Sequence, residues 1–134
     1  MDVSDLLKEP GGLEGRIKRA LDEDDEYTAS ELLKYTRNKD IISEYVYYRS
    51  KYPVPEVEDI IATDAKMSLE YAQWTLRNRF IKGEKAILES GDEDIITEYI
   101  EFLAKREKLE WFLKSYPAYE IKKVIEALLK KIKD

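Results

Sequence analysis

Glu98-Tyr99-Ile100-Glu101-Phe102 is written twice more in this chain of 134 residues, as Glu44-Tyr45-Val46-Tyr47-Tyr48 and as Glu70-Tyr71-Ala72-Gln73-Trp74. Each copy has Glu-Tyr and a second aromatic three residues after the Tyr. Ile41, Met67 or Ile95 stands three residues before the Glu, and Lys51, Arg77 or Lys105 six after the Tyr. Residues three and four apart are neighbours on a helix, so the phrase reads as one inner helical face. The copies lie 26 and 28 residues apart, room for a long helix, a turn and a shorter helix. A second series supports that unit: Glu58, Glu84 and Glu110 are 26 apart, and Ile61, Ile87 and Leu113 each follow three later. A helix pair of this size cannot bury its apolar face alone, and stacked neighbours supply the missing surface. The expected fold is therefore all-α: a small right-handed array of antiparallel helix pairs, about nine helices, in one domain spanning 1–134.

The rest of the chain fits around these units. A short helix is expected at 4–8, stopped by Pro10-Gly11-Gly12, and another at 13–22 from Leu13, Ile17, Ala20 and Leu21. Thr28-Ala29-Ser30-Glu31 matches a capping box, with Thr28 at the N-cap of a helix carrying Leu32, Leu33 and Tyr35. Residues 1–39 then form an N-terminal cap, and 40–63, 64–90 and 91–115 the three repeats. Within them Ile41, Ile42, Tyr45, Tyr48 and Tyr52 make one apolar face, and Pro53 and Pro55 end that helix and restart another. Met67, Tyr71, Trp74 and Leu76 line a helix at about 65–78, followed by one at 82–89 closed by Ser90-Gly91. Leu109, Trp111, Phe112 and Leu113 define a helix at 107–114. A last helix at 117–132, carrying Ile121, Val124, Ile125, Leu128, Leu129 and Ile132, caps the array over 116–134.

Composition narrows the function. The chain has neither His nor Cys, which removes Ser-His-Asp and Cys-His catalysis, thiolate and imidazole metal sites and disulfides. Net charge is −6, unevenly spread: residues 1–35 carry ten acids and five bases, which gives no general basic footprint for nucleic acid. No apolar run approaches the ~20 residues that span a bilayer, and Met1-Asp2-Val3-Ser4-Asp5 has no basic start of a secretory signal. The expected location is cytoplasmic, with no membrane contact.

Arg79-Phe80-Ile81-Lys82-Gly83-Glu84-Lys85-Ala86-Ile87, preceded by Tyr71-Ala72, resembles the short tandem helical repeats of many phage and large-virus proteins. Their recurring text is Tyr-Ala, then Arg, an aromatic, often Pro, a small residue, and Glu followed three later by Ile. Residues 64–90 carry the match, 40–63 follow it loosely through Tyr52-Pro53, and 92–115 lack the aromatic of the turn. The resemblance implies a helical array of viral origin, and a host protein as target. It brings no activity and no catalytic residue with it.

The candidate chemistry is read against packing. Tyr45, Tyr48, Tyr71, Trp74, Tyr99 and Phe102 recur at helical spacing and are expected between repeats, with phenol hydroxyls at the wet edge. Glu44, Glu70 and Glu98, and likewise Glu58, Glu84 and Glu110, recur in every copy, whereas a catalytic pair is needed once. They are expected to partner Arg49, Arg77, Arg79, Lys105 or Arg106. A buried Arg–Glu pair in a turn would fix the angle between helices. No catalytic residue, cofactor or metal is expected. The expected function is non-catalytic protein binding, such as inhibition of a host defence or nucleic-acid enzyme. Asp22, Glu23, Asp24, Asp25 and Glu31 would meet a basic surface. Tyr47, Gln73 and Glu101, the outward position at which the copies disagree, would contact the partner. The alternatives are nucleic-acid binding through Arg37, Lys39, Arg49, Lys51, Arg77 and Arg79, and a structural role in virion assembly.

Overall fold

Asp25, Asn38, Asp64 and Asp92 each turn a side-chain oxygen onto the first backbone amides of a helix. These four N-caps divide the chain, because they satisfy donors that a helix start leaves unpaired. The computed structural model describes residues 11–116, and among them the chain is all-α, with eight α-helices and no strand. They are α1 (Gly12–Asp22), α2 (Glu26–Leu33), α3 (Lys39–Tyr47), α4 (Glu58–Ile61), α5 (Ala65–Glu70), α6 (Ile81–Glu89), α7 (Glu93–Lys105) and α8 (Leu109–Lys114). A 3-10 turn, Pro55–Val57, leads into α4, and a π-helical turn, Tyr71–Leu76, continues α5. The expected helices at 4–8 and 117–132 lie outside the described residues.

The three phrase helices are α3, α5 and α7, and α5 packs against both of the others as well as α6. The short helices α4 and α6 also touch, and α1 packs on α2 and α3. One continuous core results, including Ile17, Leu33, Ile42, Met67, Ile87 and Leu103, with Tyr45, Tyr71 and Tyr99 at its centre. Burying each such large side chain contributes about 1.5–3 kcal/mol.

Several expectations change. The cap of α2 is Asp25, whose Oδ1 accepts from the Thr28 amide at 3.2 Å, so Thr28 lies inside the first turn rather than at the cap. An aspartate in the acidic run offered the same cap one turn earlier. Tyr35 falls beyond the end of α2 and is exposed. The helix of the first copy ends at Tyr47, not near Tyr52, because Arg49 turns the chain left-handed at φ 68°.

The second copy departs most. Its long helix does not run to 78; it widens into the π turn at Tyr71 and ends at Arg77, which is left-handed at φ 54°. In this wider turn each residue advances less around the axis. Trp74, three residues after Tyr71, therefore falls to the side of the buried face, and 40% of it is exposed. Thr75 takes the buried place instead. On α8, Trp111 is 62% exposed while Phe112 fills the core.

Gly83 shows how closely α5 and α6 approach. A Cβ there would lie 2.3 Å from Ser68 Oγ, 2.6 Å from Ser68 Cβ and 2.7 Å from Phe80 Cδ2. A residue without a Cβ is thus a contact requirement at position 83. Gly83→Ala is expected to destabilise by about 1–3 kcal/mol through overpacking, whereas Ser90→Ala beyond α6 should change stability less. Urea unfolding of both variants measures the difference, and equal midpoints would refute the close approach.

Candidate functional site

The recurring carboxylates were the first candidates for chemistry, and two of them are buried. Tyr71 Oη donates to Glu58 Oε2 at 2.7 Å and accepts from the Val54 amide at 2.9 Å. Tyr99 Oη donates to Glu84 Oε2 at 2.5 Å and accepts from the Phe80 amide at 3.2 Å. The same latch is therefore built twice: a tyrosine of one phrase helix reaches the short helix before it and satisfies a carboxylate and an amide four residues upstream of that carboxylate. The hydroxyls of Tyr71 and Tyr99 sit inside the core, not at the wet edge, whereas that of Tyr48 reaches the exposed Asp24 as expected. Tyr45 is buried too, donating to the Tyr52 carbonyl and accepting from Ser50 Oγ.

Glu84 is fully buried, and four hydrogen bonds reach it. Arg79 donates to it twice, through Nε at 2.9 Å and a terminal nitrogen at 2.6 Å. Tyr99 and Tyr116 supply the other two. Arg79 lies with its guanidinium 6.0 Å from the Phe112 ring. Glu58 is less enclosed and takes Tyr71 and Lys82, the latter at 3.3 Å. Glu110, third of the series, is exposed and pairs with Lys114 on its own helix. Glu58 and Glu84 are filled by protein donors. Among the described residues no group of three or more metal-ligating side chains is placed to hold a metal ion.

The site that faces outward lies at the C-terminal ends of the three phrase helices. Arg49 follows α3, Trp74 and Arg77 close the π turn, and Phe102 and Arg106 end α7. Together with Glu70, Gln73 and Glu98 they line an open groove of about 430 Å³. Cations are favoured at helix C-termini by the dipole, so three helix ends near one another gather three arginines. The Arg49 guanidinium covers Trp74 at 4.4 Å from the ring centroid, and Arg106 covers Phe102 at 5.0 Å. Arg49 Nε also meets Glu70 Oε2 at 3.5 Å, a buried oxygen that makes no hydrogen bond.

The sequence-derived candidates are scattered. Gln73 is half-buried in the groove, Tyr47 is 44% exposed beneath Lys66, and Glu101 is exposed on α7. Asp22 and Glu23 are exposed at the end of α1. Asp24 accepts from the Tyr48 hydroxyl, Asp25 caps α2 and Glu31 pairs with Lys34 at 3.1 Å. Of the basic candidates, Arg37 is forked onto Asp59 and Arg79 onto Glu84, while Arg49 and Arg77 reach the groove. Lys39 and Lys51 are exposed outside it, Lys51 beside Tyr52. Arg106, Phe102 and Glu98 join the groove without having been singled out there. Their signal in the sequence was weak, because Arg49, Arg77 and Arg106 stand four, six and seven residues after their tyrosines.

No helix among the described residues is long and apolar enough to cross a membrane. No protein-family model, curated protein or solved structure matches the chain.

Burial pushes the Tyr45 phenol up to about 12, and burial followed by the hydrogen bond to a carboxylate holds Tyr71 and Tyr99 well above the ordinary range. An unfolded tyrosine ionises near pH ~10. Stability from these shifts is complete below that pH and is lost as pH rises beyond it toward the folded values. In an alkaline titration followed by phenolate absorbance and circular dichroism, the buried tyrosines should ionise only as helical signal disappears. Ionisation of all tyrosines with the helices intact would refute the latches. Glu84→Gln should cost about 3–5 kcal/mol in chemical unfolding, because it leaves Arg79 uncompensated in the interior.

Proposed function

We propose that the chain is a small helical-repeat array of antiparallel helix pairs and acts as a non-catalytic protein-binding module. The repeat reading is supported by the two latches, Tyr71 onto Glu58 and Tyr99 onto Glu84, which join successive copies of one unit. The binding reading rests on one observation: Trp74 stands partly exposed in the mouth of a groove, held there by a π turn and by Arg49. Keeping an indole at the surface forgoes burial that the second phrase helix would otherwise supply. Tryptophan and arginine are the side chains on which protein interfaces concentrate their energy. The two buried carboxylates, Glu58 and Glu84, are filled by tyrosine, arginine and lysine donors, which favours a structural role for them. The resemblance to phage and large-virus repeats supports a host protein, such as a defence or nucleic-acid enzyme, as the partner.

A second reading, nucleic-acid binding, draws on Arg49, Arg77 and Arg106 sharing the groove. Immobilised wild-type protein and a Trp74→Ala variant, presented to host lysate, separate the readings. A captured protein retained by wild type, lost with Trp74→Ala and retained with Trp111→Ala is the expected result. Capture insensitive to Trp74, or salt-sensitive retention of nucleic acid alone, would overturn the protein-binding reading.

A further inference from the structure

We infer that the groove at the ends of the phrase helices takes an extended acidic peptide segment of its partner, with carboxylates seated on Arg77 and Arg106. This deepens the protein-binding reading above and rests on it.

Arg77 and Arg106 make no ion pair among the described residues. Arg106 is steadied by stacking on Phe102. Arg77 leaves the chain at a fixed left-handed turn. A guanidinium steadied by stacking, as that of Arg106 is, loses less freedom when it forks onto a carboxylate. Arg49 is different, since Glu70 already answers its charge, and its role is to hold Trp74. The groove thus offers two unanswered cations beside an exposed indole, in a chain whose net charge is −6.

The donor and acceptor set decides between a peptide and a nucleic-acid strand. A phosphodiester backbone presents acceptors and a negative charge at every step. This groove also contains Glu98, exposed and without an ion pair among the described residues, and the amide of Gln73. A carboxylate there opposes a strand that carries a charge at every step, whereas a peptide can set its acidic side chains on the arginines and an uncharged residue at Glu98. A peptide backbone carries an N–H beside every C=O, so Glu98 and the Gln73 carbonyl accept from it while the arginines bind its acidic side chains. A volume of about 430 Å³ takes a few residues and no folded domain.

The test uses the full chain carrying Trp111→Phe, so that fluorescence reports Trp74. The probes are short peptides with two Asp or Glu flanking a Phe or Leu, their Asn/Gln counterparts, and oligothymidylate. Arg77→Gly is the informative variant: φ 54° suits glycine, so the guanidinium is removed while the turn is kept. Arg106→Gln is the second, and circular dichroism checks that both remain folded. Saturable binding of acidic peptides is expected, weakened about tenfold by each variant and absent for the amide counterparts. No saturable change with any acidic peptide, binding by Arg77→Gly and Arg106→Gln as tight as that of the parent chain, or tighter binding of oligothymidylate would each overturn the inference. If peptides fail while a captured protein still depends on Trp74, the acidic chemistry falls and the protein-binding reading stands.

Discussion

Glu84 is a charge placed where no water reaches it, and much of the architecture follows from having to satisfy it. Taking a carboxylate out of water costs several kcal/mol, and only a full set of donors offsets that cost. The donors come from three segments: Arg79 from the turn before α6, Tyr99 from α7 and Tyr116 from beyond α8. Each of those segments is therefore fixed relative to α6. Because Tyr99 is held at mid-helix, the end of α7 is fixed too, and with it Phe102 and Arg106. Tyr71 does the same for the second copy through Glu58. The latch sets the register of the helices, and the groove is assembled where those helices end.

The two latches differ in depth, and the difference follows their neighbours. Glu84 has a following copy on one side and Tyr116 on the other, so it is sealed. Glu58 keeps one oxygen toward Lys82, whose side chain is mostly exposed. Glu110 has no tyrosine of a further copy above it among the described residues and lies in solvent with Lys114. The same residue in the same frame is thus buried charge, half-buried pair or surface ion according to what stacks on it.

Much of the fold was legible because helical packing leaves a periodic trace. The phrase Glu-Tyr with its flanking aliphatics identified α3, α5 and α7, which Asn38, Asp64 and Asp92 cap in the structure. A buried Arg–Glu pair in a turn was legible as a type of contact, and the structure supplies it as Arg79 with Glu84. The groove was not. It gathers Arg49, Arg77 and Arg106 from three copies at three different offsets, because each helix ends after a different number of residues. Trp74 was assigned to the core on an α-helical period, and one π turn moved it out. Asp25 displaced Thr28 as a cap because an acidic run offers several equivalent oxygens, and sequence spacing does not choose among them.

By itself the sequence determined that the chain is helical, where most of its inner faces lie, and that chemistry based on His or Cys is impossible. Those follow from local rules: neighbours at three and four residues, side chains that cap amides, and residue types that are absent. Only the tertiary structure decided which glutamates are buried, which tyrosines hold them, and that three arginines and an exposed indole share one groove. Those depend on distances between residues 13 to 57 positions apart, set by turn geometry and close packing, as between Tyr71 and Glu58 or Arg49 and Arg106. A repeated phrase fixes what each helix buries; the irregular turns between the phrases fix what the protein presents.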